Sequence, residues 1–176
     1  MNAAAELVVL LDEDGGAIGT APKATVHGTS TPLHLAFSCH VRDEHDRILV
    51  TRRALDKATW PGVWTNSFCG HPGPGEDPAD AVARRGRQEL GLELDELRMV
   101  LPDFRYRAID ANGIVENELC PVYTARIRSE ITADPDEVMD WAWVEPAHLA
   151  ESARLTPFAF SPWLVLQLPA LGLGSD

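Results

Sequence analysis

Apolar residues fall along this chain in short runs, most of them closed off by Gly, Pro, Asn or Asp. Runs of that length with those boundaries predict strands joined by tight turns. Glu6–Leu11 reads as an apolar strand, and Asp14-Gly15-Gly16 turns it into Ala17–Thr20. Leu33–Val41 predicts a buried strand, and Asp43–Asp46 turns the chain into Arg47–Arg52 to complete a hairpin. Trp60-Pro61-Gly62 is a loop, followed by a strand over Val63–Cys69. Phe104–Asp110 and Ile114–Arg128 predict a long hairpin. Its turn, Ala111-Asn112-Gly113, fits a three-residue loop with Gly in the left-handed position. Val138–Val144 is a further strand.

Helical signals are fewer. Asp77-Pro78 supplies an N-cap and a proline at the first helical position, and Gly91 closes the helix after Leu90. A short helix is expected near Pro146, and a last one after Ser161-Pro162. The tail from about residue 169 breaks helical pattern and is expected to be loose. No repeat or low-complexity linker interrupts the chain, and 176 residues suit one domain with a full core. Strands with a few interspersed helices point to an α+β or layered α/β/α domain.

Charge narrows the partners. A formal charge of −12 argues against a nucleic-acid surface, and any anionic ligand must be held by local cations against that field. Cys39, Cys69 and Cys120 are odd in number and widely spaced, so no disulfide framework is expected. There is no basic, apolar leader and no apolar run near the roughly 20 residues that span a bilayer. A soluble cytoplasmic monomer is the expectation.

The densest chemistry lies in Trp64-Thr65-Asn66-Ser67-Phe68-Cys69-Gly70-His71-Pro72-Gly73-Pro74-Gly75-Glu76. Here a thiol, an imidazole and a carboxylate crowd the end of a predicted strand. His27 and His34 flank a turn-rich segment. Glu116 and Glu118 lie two apart on a predicted strand and so share a face. Three imidazoles and two carboxylates suit Zn²⁺ or Mn²⁺ better than Ca²⁺. His40, His45 and His148 read as surface or structural histidines, and Cys39 and Cys120 as small buried residues. Arg52, Arg53 and Lys57 form a basic cluster that Lys23 and Arg85 can join.

From Gly70 the spacing to Glu76, Arg84, Glu89, Gly91 and Leu92 resembles the Nudix box. Arg85, Gly86 and Gln88 depart from it, and two of these departures remove carboxylates that hold metal in hydrolases of that family. The segments TRRALDKATWPGVWTNSFCGHPGPGE, PDFRYRA, GIVENELCPV, FSPW and LHLAFS are similar to the type I isopentenyl-diphosphate isomerase family from about Leu7 to Trp163. That resemblance implies a Nudix-like α/β/α sandwich with a mixed sheet and additional N-terminal strands. It implies interconversion of isopentenyl and dimethylallyl diphosphate, a small-molecule substrate. By resemblance, His27, His34, His71, Glu116 and Glu118 bind one divalent metal (Zn, Mn or Mg). Glu89 helps hold a Mg²⁺ that arrives with the diphosphate. Cys69 and Glu118 exchange protons with substrate, Tyr106 bonds the catalytic Glu118, and Trp163 faces the developing cation. Lys23, Arg53, Lys57 and Arg85 bind the diphosphate. With a three-residue turn at 111–113, position 106 also falls opposite 118 by counting alone. Two other readings are a diphosphate hydrolase and a non-catalytic Nudix domain binding a metal or an anionic metabolite.

Overall fold

In the computed structural model, which describes residues 6–173, two mixed sheets share pairs of strands that run from one into the other. The first sheet has the order β2 (Ala17–Pro22), β1 (Leu7–Leu11), β3 (His34–Leu35), β10 (Val115–Leu119) and β9 (Arg105–Ile109). The second runs β12 (Val138–Val144), β5 (Ile48–Arg53), β4 (Phe37–Arg42), β11 (Val122–Ile127) and β8 (Leu94–Leu101). Two short strands, β6 (Trp64–Thr65) on β5 and β7 (Phe68–Gly70) on β4, complete it. The first five residues and the last three lie outside the described residues, and with them the reading of the leader.

The second sheet is the middle layer of an α/β/α sandwich. Alternate residues of β5 face opposite ways. Leu49 packs with Phe37, Phe68 and Val82 of the long helix α2 (Pro78–Leu90). Ile48 and Val50 pack with Leu149 of α3 (Pro146–Leu155) and Leu164 of α4 (Pro162–Ala170). A four-residue helix, α1 (Lys23–Val26), follows β2 and was not anticipated.

Three predicted strands are each broken in two. Leu33–Val41 divides at Ala36 into β3 and β4, and Ile114–Arg128 divides at Cys120-Pro121 into β10 and β11. Both pairs are parallel, so two neighbouring strands leave one sheet and enter the other together. The Ala36 N–H still reaches the Leu119 carbonyl, and the Ser38 N–H reaches Pro121. Pro121 itself has no N–H to offer a ladder, which fits a position where pairing changes hands. The third break, at Asn66-Ser67, separates β6 from β7. There β4 and β5 splay apart, and Ser67 fills the gap: its hydroxyl accepts from the Val41 N–H and donates to the Leu49 carbonyl, each at 2.7 Å.

The helix signals hold. Asp77 accepts from the N–H groups of Ala79 and Asp80, and Gly91 ends α2 at φ 64°. The expected loose tail is corrected in part. Pro169 and Ala170 finish α4, and Leu173 packs against the cluster around Leu164.

Two substitutions test this packing. A Cβ at Gly86 would stand 3.1 Å from Phe68 Cζ, so the Phe68 ring occupies the room a side chain at 86 needs. Gly86→Leu should cost about 1–3 kcal/mol in urea unfolding despite its better helix propensity, and the loss should shrink in a Phe68→Val background. His40 is buried, bonded through Nε2 to Gln167 Oε1 at 2.9 Å, and burial pulls its pKa down to about 4. The unfolded chain therefore takes up a proton between pH 6.5 and 4 that the folded protein refuses. Its contribution is present above pH 6.5 and is lost as pH falls toward 4. Relative to His40→Gln, the wild type should lose roughly 3 kcal/mol across that window, and a pH-independent gap would contradict this.

Candidate active site

The site lies where the paired strands pass from sheet to sheet. The register brings Glu118 opposite Tyr106 on β9, as the three-residue turn predicts, and beside His34 on β3. Gly113 holds φ 82° in that turn. Cys69 is the middle residue of β7, and His71 follows the strand's last residue, Gly70. A cavity of about 460 Å³ opens here, within the range of small-molecule sites. Every site residue named from the sequence lines it except His34, which sits fully buried beneath the other two histidines.

Among the described residues, His27, His34, His71 and Glu118 offer ligand atoms within 4.8 Å of one another. The three ring centroids are 5.1–5.9 Å apart. His34 Nδ1 lies 3.0 Å from the Pro32 carbonyl, so that nitrogen is the donor there and Nε2 is the one turned toward the cluster. His34 Nε2, His27 Nε2 and Glu116 Oε2 are buried with no hydrogen-bond partner among the described residues. Yet His27 Nε2 is 3.0 Å from Glu116 Oε2, and His34 Nε2 is 3.4 Å from Glu118 Oε1. Atoms that close without an aligned N–H are aimed at a shared point rather than at each other. That donor set can hold a divalent ion. Glu116 stands at the edge, outside the four mutually close ligand atoms.

Burial alone would raise the Glu118 carboxyl, but the His34 and His71 rings override it and hold the group well below its usual range. His71 Nε2 is 3.0 Å from Glu118 Oε1, and Tyr106 OH donates to Glu118 Oε2 at 2.9 Å. Cys69 is the opposite case. Burial pushes its thiol up to about 11, so the resting pair is a thiol and a carboxylate. Its S–H faces Asn66 Oδ1 at 3.2 Å, and Ser38 Oγ lies 3.4 Å from Sγ.

Asn66 was not singled out from the sequence, though it lies within the quoted run. Its Nδ2 donates to the carbonyls of Cys39 and Phe68, which determines which end of the amide faces the site. Oδ1 then accepts from Cys69, from Thr65 Oγ1 at 2.9 Å and from Trp163 Nε1 at 3.0 Å. One buried amide thus orients both the thiol and the indole. Trp163 is 3% exposed, edge-on to Trp60, and carries the Arg53 guanidinium 5.4 Å from its ring centroid. A ring that accepts one cation on its face is suited to another.

Three of the four cations are already paired with carboxylates, and Arg53 is held by the Thr59 and Trp60 carbonyls. Lys23 meets Glu6 at 2.6 Å, Arg85 meets Glu89, and Lys57 meets Glu137. Glu137 also lies 3.6 Å from Arg85. Like Glu6, it is a carboxylate of the cavity that no spacing in the sequence signals. Burial lowers the Lys57 pKa to about 8. Two of the box residues that match the Nudix pattern, Glu76 and Arg84, act outside the cavity lining. Arg84 spans Glu76 at 2.7 Å and the His71 carbonyl at 3.2 Å, fastening the loop that carries His71. A Cβ on Gly70 would come within 2.7 Å of the Arg85 stem, so only glycine lets that arginine cross to the cavity.

The NUDIX domain family matches residues 32–164. The chain is 66% identical over 175 residues to the isopentenyl-diphosphate Delta-isomerase of Agromyces mediolanus, covering 98% of this chain and 85% of that one. It is 57% identical over 175 residues to the enzyme of the same name from Corynebacterium glutamicum (strain R), covering 97% and 93%. Among solved structures, DR0079 from Deinococcus radiodurans aligns with a TM-score of 0.72 at 20% identity, over 94% of this chain and 98% of that one. The MutT protein from Methanosarcina mazei Go1 aligns at 0.60 and 14% identity, over 80% and 96%. The structural likenesses establish the fold, and the fold is common to proteins of many activities. Sequence identity along nearly the whole chain is what separates the branches: the chain belongs to the Nudix superfamily and, within it, to the isopentenyl-diphosphate Delta-isomerase family.

Proposed function

We propose that the protein interconverts isopentenyl and dimethylallyl diphosphate by moving one proton on and another off a five-carbon chain. The observation that carries this reading is the pairing of a half-buried thiol, Cys69, with a buried carboxylate, Glu118, across one cavity that Trp163 also lines. An isolated alkene is a very weak base. Protonating it needs a placed acid, a placed base and a surface for the tertiary cation between them. One of Cys69 and Glu118 gives a proton to the terminal methylene carbon. The other takes one from the carbon next to the diphosphate-bearing methylene, and reversing the reaction reverses the two roles. Tyr106 donates to Glu118 Oε2 and holds that carboxylate in place while its protonation changes. Trp163 is the surface for the cation, worth about 2 kcal/mol or more in a desolvated site.

His27, His34, His71, Glu116 and Glu118 would hold one divalent ion, Zn²⁺, Mn²⁺ or Mg²⁺. Bound there, the ion supplies positive charge that tunes the basicity of Glu118. Lys23, Arg53, Lys57 and Arg85 grip the diphosphate, and Glu89 takes part in holding the Mg²⁺ that comes with it. Arg85 replaces a carboxylate of the hydrolase box with a phosphate-binding cation, which favours anchoring a diphosphate over cleaving it.

Proton NMR of isopentenyl diphosphate with the protein and Mg²⁺ in D₂O tests the reaction. Dimethylallyl diphosphate carrying deuterium in a methyl group is expected, and Cys69→Ala should lower the rate by at least about 10²-fold. Release of phosphate without isomerisation would transfer the reading to a hydrolase. Unchanged substrate with metal bound would leave a binding domain. Stripping the protein with a chelator should abolish turnover, and Mn²⁺ or Zn²⁺ followed by Mg²⁺ should restore it. Activity that survives complete stripping would remove the metal from the mechanism.

A further inference from the structure

We infer that Thr59 is a positioning residue for Glu116, holding that carboxylate in the orientation that completes the metal site. The inference rests on the metal reading of the His/Glu cluster. Thr59 sits in the loop between β5 and β6 and is 4% exposed. Its Oγ1 lies 2.8 Å from Glu116 Oε1. A carboxylate only accepts, so the hydroxyl proton must point to Glu116. The hydroxyl's remaining lone pairs face Arg53 Nη2 at 3.4 Å, and the Thr59 carbonyl accepts from the same nitrogen at 2.8 Å. With Oε1 committed to Thr59, Glu116 turns Oε2 toward His27, 3.0 Å away and otherwise unpartnered among the described residues.

Glu116 is the ligand that needs such help. The other four positions hold one another: their ligand atoms cluster within 4.8 Å, and Glu118 is fixed by Tyr106 and His71. Glu116 stands outside that cluster, and no side chain other than Thr59 is hydrogen-bonded to its carboxylate among the described residues. A partner behind a metal ligand sets both its direction and its basicity, and losing one typically costs about 10–100-fold in metal affinity. The neighbouring backbone fits the role. Trp60 has φ 41°, a conformation that non-glycine residues seldom take, and the loop is clamped from behind by Arg53 on the Thr59 and Trp60 carbonyls and by Arg52 on Gly62. Thr59 therefore reaches Glu116 from a fixed base.

The test is titration of chelator-stripped, full-length protein with Mn²⁺ alone and with Zn²⁺ alone, read by calorimetry, beside thermal unfolding of the metal-free forms. Thr59→Val keeps the shape and removes the hydroxyl; Thr59→Ser keeps the hydroxyl and removes a methyl. Thr59→Val should bind each ion about 10–100-fold more weakly, and Thr59→Ser should bind within a few-fold of wild type. In a Glu116→Ala background, Thr59→Val should cause no further loss, because the two act in series. Wild-type affinity in Thr59→Val would overturn the inference. So would equal losses in both variants with matching drops in melting temperature, which would mark a packing role. So would an additional loss in the Glu116→Ala background. A folded wild type that binds neither ion would show instead that the metal reading fails, and the positioning role with it.

Discussion

Glu118 is a carboxylate with 6% of its surface exposed. Burying an anion costs several kcal/mol unless the surroundings answer it with charge or hydrogen bonds. His71 and Tyr106 each bond one of its oxygens, and His34 stands beside it on the neighbouring strand. Those partners come from three directions: a strand across, a strand beside and a loop above. The fold has to bring them together, and the paired strand crossing does so. β3 and β10 lie in parallel register as they leave the first sheet, so His34 and Glu118 meet directly. β4 carries β7 into the same corner from the second sheet, with Ser38 opposite Cys69. The thiol and the carboxylate belong to different sheets, on β7 and β10, and they face one cavity because the crossing brings those sheets together there.

The Nudix helix serves this arrangement differently from the way its pattern implies in a hydrolase. Glu76 and Arg84 form a pair that reaches the His71 carbonyl, so part of the box has become scaffolding for the histidine. Gly70 leaves room for the Arg85 stem, and Arg85 then occupies the cavity as a cation paired with Glu89. Gly86 and Phe68 are two halves of one adjustment. The aromatic ring next to the thiol fills space that an aliphatic residue at 86 would otherwise take. Two of the three departures from the box, Arg85 and Gly86, thus have a partner elsewhere in the chain, Gly70 and Phe68, and both partners line the cavity.

How much of this could be read beforehand depended on whether a residue's partner lies at a fixed spacing. Glu116 and Glu118 share a face because side chains alternate along any strand, and Tyr106 opposes Glu118 because the turn length sets the register. Asp77, Pro78 and Gly91 bound α2 by local chemistry alone. The strand breaks at Ala36 and Cys120-Pro121 left little trace, since the apolar pattern continues through them while the hydrogen-bonding partner changes. Asn66, Thr59 and Glu137 were invisible for a related reason. Their contacts span long stretches of sequence, as in Thr59 to Glu116 or Lys57 to Glu137, and no period connects such positions. The roles of the histidines, the thiol and the cations came from resemblance, and the structure supplies the geometry in which those roles are physically possible.

The charge balance of the cavity bears on how so acidic a chain could receive a diphosphate there, as proposed. At −12, the long-range field repels anions, and cations scattered over the surface would be screened within about 10 Å at ordinary ionic strength. The cations are gathered instead at one partly enclosed mouth, where screening is weaker. There Lys57 and Arg85 are kept close together by Glu137 between them, and Lys23 is held by Glu6. Carboxylates that look like competitors for the substrate are what allow like charges to be stored at such proximity, because each cation would otherwise raise the cost of its neighbour. Desolvation already lowers the Lys57 pKa to about 8, so without its acidic partners this lysine would be driven further toward neutrality. A diphosphate bound as proposed would meet cations that are close together and fixed in direction, and it would compete for them with single carboxylates that carry less charge than it does.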